Sequence, residues 1–161
     1  MEIRRAVLTD VDALTENRME FLATFTKSFP PDFSGTTRAY LTRHLNDGSL
    51  VAYLAADGET IAASAILCIY ETIPTPANPG GRHGYLYNVY TRPAYRRQGL
   101  STAVLQRLME EAELAQLDKI VLDYMPDGLR LYQKLGFRFP DRHMELSLPR
   151  TETAVSFGNP A

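Results

Sequence analysis

Apolar side chains recur at helical spacing in four stretches of the sequence. After Asp10, which is suited to cap a helix, the spacing predicts a helix that ends near Phe25. A shorter helix is predicted for residues 36–45, and the strongest for residues 99–116, where one face is apolar along its whole length. A last short helix is predicted for residues 127–135.

Short apolar and β-branched runs between these helices predict strands. Asp57-Gly58 separates two of them and signals a tight hairpin, in which both turn positions must tolerate positive φ. The run at 119–124 is almost continuously apolar, which is typical of a strand buried on both faces. The predicted strands cover residues 3–6, 50–56, 60–70, 84–91, 119–124, 137–139 and 144–148.

The resulting order is β-α-α-β-β-β-α-β-α-β-β, which mixes hairpins with strand–helix–strand crossovers. This mixture predicts an α/β or α+β domain built on one mixed sheet. The chain has 161 residues, a length that favours one domain. We expect that domain to cover residues 1–148 and residues 149–161 to form a polar C-terminal tail.

Composition and charge narrow the possible functions. Hydrophobic residues make up 45%, and 17 basic residues face 19 acidic ones, so binding to long nucleic acids is not expected. No apolar run is long enough to span a membrane. Cys68 is the one cysteine, which excludes an intrachain disulfide and favours a cytoplasmic location. The three histidines lack metal-ligand spacing, so no metal site is expected.

The segment from Asn88 to Thr102 carries the chemical signal. A strand ends there, a turn follows, and Gly99 opens the strongest predicted helix. The first amides of a helix have no intrahelical partner and attract anions, and the sequence adds Arg92, Arg96 and Arg97 beside them. A pyrophosphate is the expected occupant. The segment lacks both the Gly-Lys-Ser/Thr ending of a P-loop and the glycines of a dinucleotide-binding loop.

Two motifs in this order resemble the GCN5-related N-acetyltransferase (GNAT) family. The first is Arg96-x-x-Gly99-x-Ser101 after a strand, and the second is the stretch from Leu131 to Phe137, LYQKLGF. The resemblance covers nearly the whole predicted domain. It implies the acyl-CoA N-acyltransferase fold, with a mostly antiparallel central sheet flanked by helices, and acetyl-CoA (coenzyme A) as the cofactor.

The resemblance also implies roles for individual residues. Tyr132 corresponds to the general acid that protonates the departing thiolate. Ser101 replaces the family's usual Gly or Ala, and Met125 stands where many members have Asn. The residues implied to bind the cofactor are Val89, Tyr90, Thr91, Arg96, Arg97, Gln98, Gly99, Leu100, Ser101 and Thr102.

The acceptor side is less defined. No acidic residue stands on the 84–91 strand, where many members keep a general base, so Glu71, Asp123 or a water chain past two tyrosines remain open as alternatives. Those tyrosines are Tyr85 and Tyr87, which either line the acceptor cleft or pack in the core. Phe29 and Phe33 fall in a Pro-rich loop and either line the acceptor pocket or anchor the loop.

The implied function is direct transfer of an acetyl group from acetyl-CoA to a primary amine, most simply that of a small molecule. The loops carry no strong acidic or basic cluster that would indicate a highly charged acceptor. Two other functions fit the same motifs. One is an acyl-CoA-binding sensor without turnover, and the other is acetylation of a protein N-terminus or lysine. We expect a monomer or a homodimer.

Overall fold

Five strands form one sheet in the order β1-β2-β3-β4-β5. The computed structural model describes residues 1–140 and 143–148 of the chain. The first four strands pair antiparallel and β4 pairs parallel with β5, which confirms the mixed, mostly antiparallel sheet. The elements are β1 (Glu2–Arg5), α1 (Val11–Ala23), α2 (Phe33–Asp47), β2 (Leu50–Asp57), β3 (Thr60–Glu71), β4 (Arg82–Thr91), α3 (Leu100–Leu114), β5 (Lys119–Leu122) and α4 (Leu129–Lys134).

Helices cover both faces of the sheet. On one face, α1 and α2 bury Leu14 and Leu41 against Leu54 and Ile66 of the strands. On the other face, α3 packs on β2 and β3 through the apolar stripe that the sequence predicts. Each fully buried leucine contributes about 1.5–3 kcal/mol. The central strands therefore alternate between two cores, which explains why β2 and most of β3 are buried on both sides.

The β2–β3 hairpin is confirmed, but its turn lies one residue later than predicted. Asp57 pairs with Thr60, so the turn residues are Gly58 and Glu59. Gly58 has φ of +60°, whereas Glu59 does not have positive φ. Positive φ at the first turn position alone is the type II′ pattern, in which glycine is required at that position only. The expectation of two positive-φ positions was wrong.

Two other predicted features need correction. Helix α2 begins at Phe33, so this side chain lies on a helix and not in the preceding loop. Strand β5 is shorter than predicted, ending at Leu122, and its side chains are half-buried or exposed rather than buried on both faces. Within the described residues β5 is the edge of the sheet, and an edge strand has fewer neighbours to cover its side chains.

Contacts group Met1–Pro126 into one compact unit and the following residues into a second. In the second unit α4 confirms the predicted short helix. The strands predicted at 137–139 and 144–148 are absent from the described residues. Met144, Leu146 and Leu148 are 93%, 82% and 79% exposed, so their alternation covers no core. The predicted tail, residues 149–161, lies outside the described residues.

No helix in the described part of the chain is long and apolar enough to cross a membrane.

Candidate active site

A bulge interrupts β4 just before its end. Ser64 of β3 pairs with Tyr90 and Ile66 pairs with Tyr87, so two residues of β4 stand opposite one of β3. Asn88 lies at this position with φ of +53°, in the left-handed region. Asparagine tolerates that region better than most residues because its short side chain can hydrogen-bond locally. The bulge bends the strand and redirects the residues that follow.

A buried polar network holds the bulge. Asn17 of α1, Ser64 and Asn88 are 0%, 0% and 3% exposed. The Ser64 hydroxyl donates to Asn17 Oδ1 (2.7 Å), and Asn88 Nδ2 donates to Ser64 Oγ (2.9 Å) and to Asn17 Oδ1 (3.2 Å). Buried polar groups are costly unless paired, so these contacts fix α1, β3 and β4 together. Sequence reasoning missed this network, although an asparagine within the buried stripe of a helix is a signal.

The bulge leaves one edge of β4 open. Pairing with β5 extends only from His83 to Leu86 of β4. On that side, residues 87–91 have no strand partner in the described part of the chain. An extended ligand can therefore hydrogen-bond to the free backbone groups as an added strand would. Val89, Tyr90 and Thr91, all predicted to bind cofactor, lie along this open stretch.

The N-terminus of α3 is open beside it. Gly99 precedes the helix with φ of +74°, and Arg97 also has positive φ, +62°. The first helical hydrogen bond of α3 is donated by the Ala103 amide to Gly99 O (3.0 Å). The amides of the residues just before Ala103 therefore have no acceptor within the helix. A methyl group placed on Gly99 would meet no protein atom within 4 Å, so the space above the loop is free. The geometry fits a pyrophosphate, whose charge the helix dipole favours.

Side chains join this loop to the end of β4. The hydroxyls of Thr91 and Ser101 lie 2.7 Å apart, and Arg96 Nε donates to Thr91 O (3.2 Å). Arg92 instead forms a two-point ion pair with Glu20, at 2.9 and 2.7 Å. Its charge is neutralised by that carboxylate, so the expected contribution of Arg92 to the basic cluster was wrong. The charge available to an anion is that of Arg96 and Arg97.

Aromatic side chains line the α1–α2 face of β3 and β4. Tyr85 and Tyr87 stack with ring centroids 4.7 Å apart. The Tyr85 hydroxyl donates to Asp123 Oδ2 (2.6 Å) just beyond β5. Burial raises the pKa of Tyr87, which keeps its phenol neutral at ordinary pH. The predicted acceptor residues Tyr85, Tyr87 and Asp123 are thus brought together.

The remaining predicted acceptor residues lie apart from this group. Glu71 ends β3 opposite Arg82, and strand alternation directs it to the face opposite Tyr70 and the stacked tyrosines. Phe29 and Phe33 stack on each other at 5.5 Å, at the start of α2. Their role as pocket residues or loop anchors stays a prediction.

Tyr132 in the second unit is held by the end of α4. The Phe137 amide donates to Tyr132 O (3.0 Å) and the Gly136 amide to Gln133 O (3.1 Å), which together form a Schellman motif. The Tyr132 and Phe137 rings meet edge to face at 5.8 Å. A Cβ on Gly128 would come within 2.8 Å of the Tyr132 ring, so glycine there makes room for it. Burial raises the pKa of Tyr132.

A mixed sheet whose fourth strand is bulged and open at its end, followed by a helix with free N-terminal amides, defines an acyl-CoA N-acyltransferase fold. A solved structure supports this fold assignment. An acetyltransferase from Clostridium acetobutylicum, solved with acetyl-CoA, superposes on this chain with a TM-score of 0.84. That protein is 31% identical, over 91% of this chain and 95% of its own. The chain belongs to the acetyltransferase (GNAT) family, whose sequence profile matches residues 14–137.

Named relatives agree with this assignment. Glucosamine 6-phosphate N-acetyltransferase of Trypanosoma brucei brucei is 29% identical over 150 residues, which cover 92% of this chain and 97% of that protein. Bovine thialysine N-ε-acetyltransferase is 36% identical over 59 residues, 35% of each chain. The protein is therefore an N-acetyltransferase that uses acetyl-CoA.

Proposed function

We propose that this enzyme transfers the acetyl group of acetyl-CoA directly to the primary amine of a small molecule, in one complex that holds both substrates. The observation that carries the proposal is the open edge of β4 beside the open N-terminus of α3, with an aromatic face next to both. The trypanosomal relative, named for glucosamine 6-phosphate, supports a small acceptor. The single cysteine, Cys68, supports a cytoplasmic location.

On this proposal the chain binds acetyl-CoA mainly through its backbone. The amides of residues 98–102 hold the pyrophosphate, with the guanidinium groups of Arg96 and Arg97 adding charge. The backbone of Val89 and Thr91, on the open edge of β4, aligns the pantetheine arm. Acetyl-CoA supplies an activated thioester. An unpaired amide on the open edge of β4 would stabilise negative charge that develops on the thioester oxygen.

The acceptor amine must lose a proton before it attacks. A lysine-like amine has a pKa of about 10.4 and is protonated at neutral pH. We assign Asp123, with Tyr85 as its hydrogen-bond donor, as the group that draws the proton away, directly or through water. Asp123 is the predicted carboxylate that lies on the face of the stacked tyrosines, whereas Glu71 is directed to the other face.

Thiol release tests the proposed function. Purified enzyme with acetyl-CoA and a panel of amines should release free CoA at a rate that depends on the amine, and mass spectrometry should find the N-acetyl product. If acetyl-CoA binds in calorimetry but no small amine is acetylated, a sensor without turnover is favoured. If only protein N-termini or lysines become modified, the small-molecule assignment is wrong.

The Asp123 assignment has its own test. We expect Asp123→Asn to lower kcat/KM for the amine on the order of tenfold at neutral pH, because an amide is a far weaker base while water can partly replace it. The loss should shrink as the pH rises toward the amine pKa, since less deprotonation is then needed. The measurement is kcat/KM against pH for the variant and the native enzyme.

Asp57→Asn is the matched control, because Asp57 also accepts a hydrogen bond from a tyrosine hydroxyl, that of Tyr95 (3.0 Å). It lies in the β2–β3 hairpin, away from the stacked tyrosines. An Asp123→Asn enzyme with a native pH profile would remove Asp123 from the mechanism.

A further inference from the structure

Arg18 of α1 is a partly buried cation that the proposed chemistry leaves unused. Its Nη1 donates to Asn88 Oδ1 at 3.4 Å, a long contact to a neutral amide at the β4 bulge. No carboxylate in the described residues forms an ion pair with it. Removing a charge from water without an opposite charge nearby is costly, so a cation in this state needs an explanation.

Many other arginines of this chain do have a carboxylate partner, even at its surface. Arg18 differs from them in being more enclosed and yet unpaired. Five other arginines form such pairs in the described residues, as Arg4–Asp10, Arg5–Glu111, Arg38–Asp12, Arg92–Glu20 and Arg107–Glu110.

The groups around Arg18 do not neutralise it. Its nearest electrostatic neighbours are Cys68, Tyr87 and Tyr40, which come from three different elements. Burial raises the pKa of Cys68 and of Tyr87, and it raises that of Tyr40 to about 12, so all three are neutral at ordinary pH. Burial also lowers the pKa of Arg18, but a guanidinium stays charged in proteins. The surroundings therefore offer one positive charge with phenol and thiol groups.

This arrangement lies on the face that the proposed function gives to the acceptor. Tyr87 stacks on Tyr85, whose hydroxyl is bound to Asp123, and Arg18 reaches the bulge at Asn88. Directly beyond the bulge is the open edge of β4. A molecule with its amine at that edge could therefore direct its other end toward Arg18.

We propose that Arg18 binds an anionic group, a carboxylate or a phosphate, on the acceptor, so that the substrate is a small amine carrying a negative charge. This inference rests on the proposed function, because it assigns the other end of the same substrate. A guanidinium suits both anions, since its planar donors match their oxygens in pairs. The ligand would supply the negative charge that the chain does not.

Matched pairs of amines test the proposal. Lysine and cadaverine differ by a carboxylate, and O-phosphoethanolamine and ethanolamine differ by a phosphate, so the two pairs separate the two anions. In the native enzyme we expect kcat/KM for at least one member that carries the carboxylate or phosphate to exceed that of its partner without it by about tenfold or more. In Arg18→Gln this preference should fall to near one, chiefly through KM of the anionic amine. Arg18→Lys should keep part of it.

Arg107→Gln is the matched control, since Arg107 is an exposed helical arginine on α3, on the opposite side of the sheet. It should leave the preference unchanged. Native enzyme that uses the amines without a carboxylate or phosphate equally well, or an anion preference that survives in Arg18→Gln, would overturn the proposal. Circular dichroism and thermal unfolding establish that each variant is folded.

A direct binding measurement separates this inference from the proposed function. Stabilisation by inorganic phosphate and by acetate is measured by thermal shift with CoA at saturating concentration, which fills the loop at Arg96 and Arg97. Stabilisation that is lost in Arg18→Gln supports the anion site even when no amine is acetylated, in which case the proposed function alone fails. Equal stabilisation of both proteins, with no anion preference in turnover, overturns the anion site and leaves acetyl transfer intact.

Discussion

Tyr132→Phe is expected to lower kcat by about 100-fold and to leave KM for acetyl-CoA nearly unchanged. A 100-fold loss is at the lower end of what a general acid contributes to the rate. Burial raises the pKa of Tyr132, so its hydroxyl keeps its proton throughout the neutral range, as the general-acid role implied by the family resemblance requires. The variant removes only that hydroxyl. The Schellman motif that positions the residue uses only backbone groups, and a phenylalanine ring can keep the edge-to-face contact with Phe137. Both are therefore retained in the variant.

The measurement is thiol release at saturating acetyl-CoA. Tyr53→Phe is the control, because it removes a hydroxyl that donates to Glu111 (2.9 Å) on the α3 side of the sheet. It should change stability slightly and kcat little. A Tyr132→Phe enzyme with native kcat would exclude Tyr132 as the acid, while the family and the acetyl-CoA site would stand.

Gly99→Ala is expected to raise KM for acetyl-CoA by about 10- to 100-fold with a smaller change in kcat, the equivalent of one or two lost hydrogen bonds to a charged group. Gly99 has φ of +74°, where a side chain costs about 1–2 kcal/mol. The new methyl group would meet no protein atom but would project from the loop proposed to hold the pyrophosphate. Strain in the loop and the added methyl group both disturb the amides that follow.

Gly48→Ala controls for strain. Gly48 ends α2 with φ of 77° and ψ of 4°, against 74° and 9° at Gly99, and a methyl group there also meets no protein atom. Both variants should therefore lose similar stability in thermal unfolding. Only Gly99→Ala should weaken acetyl-CoA binding in calorimetry. Equal affinity in the two variants would contradict the proposed pyrophosphate loop.

Features set by short stretches of sequence were predicted well. The apolar stripe of α3 and the strand pattern of β2 and β3 follow from periodicity, because a side chain every third or fourth residue can face only one side of a helix. The loop at Gly99 was recognised from its local sequence, although Gly99 itself precedes α3 with positive φ instead of lying inside the helix as predicted. The two motifs that identify the family lie at the start of α3 and the end of α4.

Predictions that depended on neighbours were less reliable. Residues 144–148 have the alternating pattern of a strand but pair with no strand in the described part of the chain. The pattern of one segment cannot predict pairing, because pairing requires a second segment beside it. The run that became β5 was expected to be buried because it is apolar, yet an edge position leaves it half-covered. Arg92 was expected to lie near the bound anion, but its guanidinium instead pairs with Glu20, which is distant in the sequence.

The sequence by itself therefore determined the family, the core-facing side of each major helix and the anion-binding character of the loop at Gly99. Only the tertiary structure decided how β4 is bent, because Asn17, Ser64 and Asn88 come from three elements and meet only after folding. It also decided which charges are neutralised. Arg92 and Arg18 are alike in the sequence, but long-range packing gives one a carboxylate and leaves the other among neutral groups. Charge pairing depends on distances across the fold, which local sequence patterns do not encode.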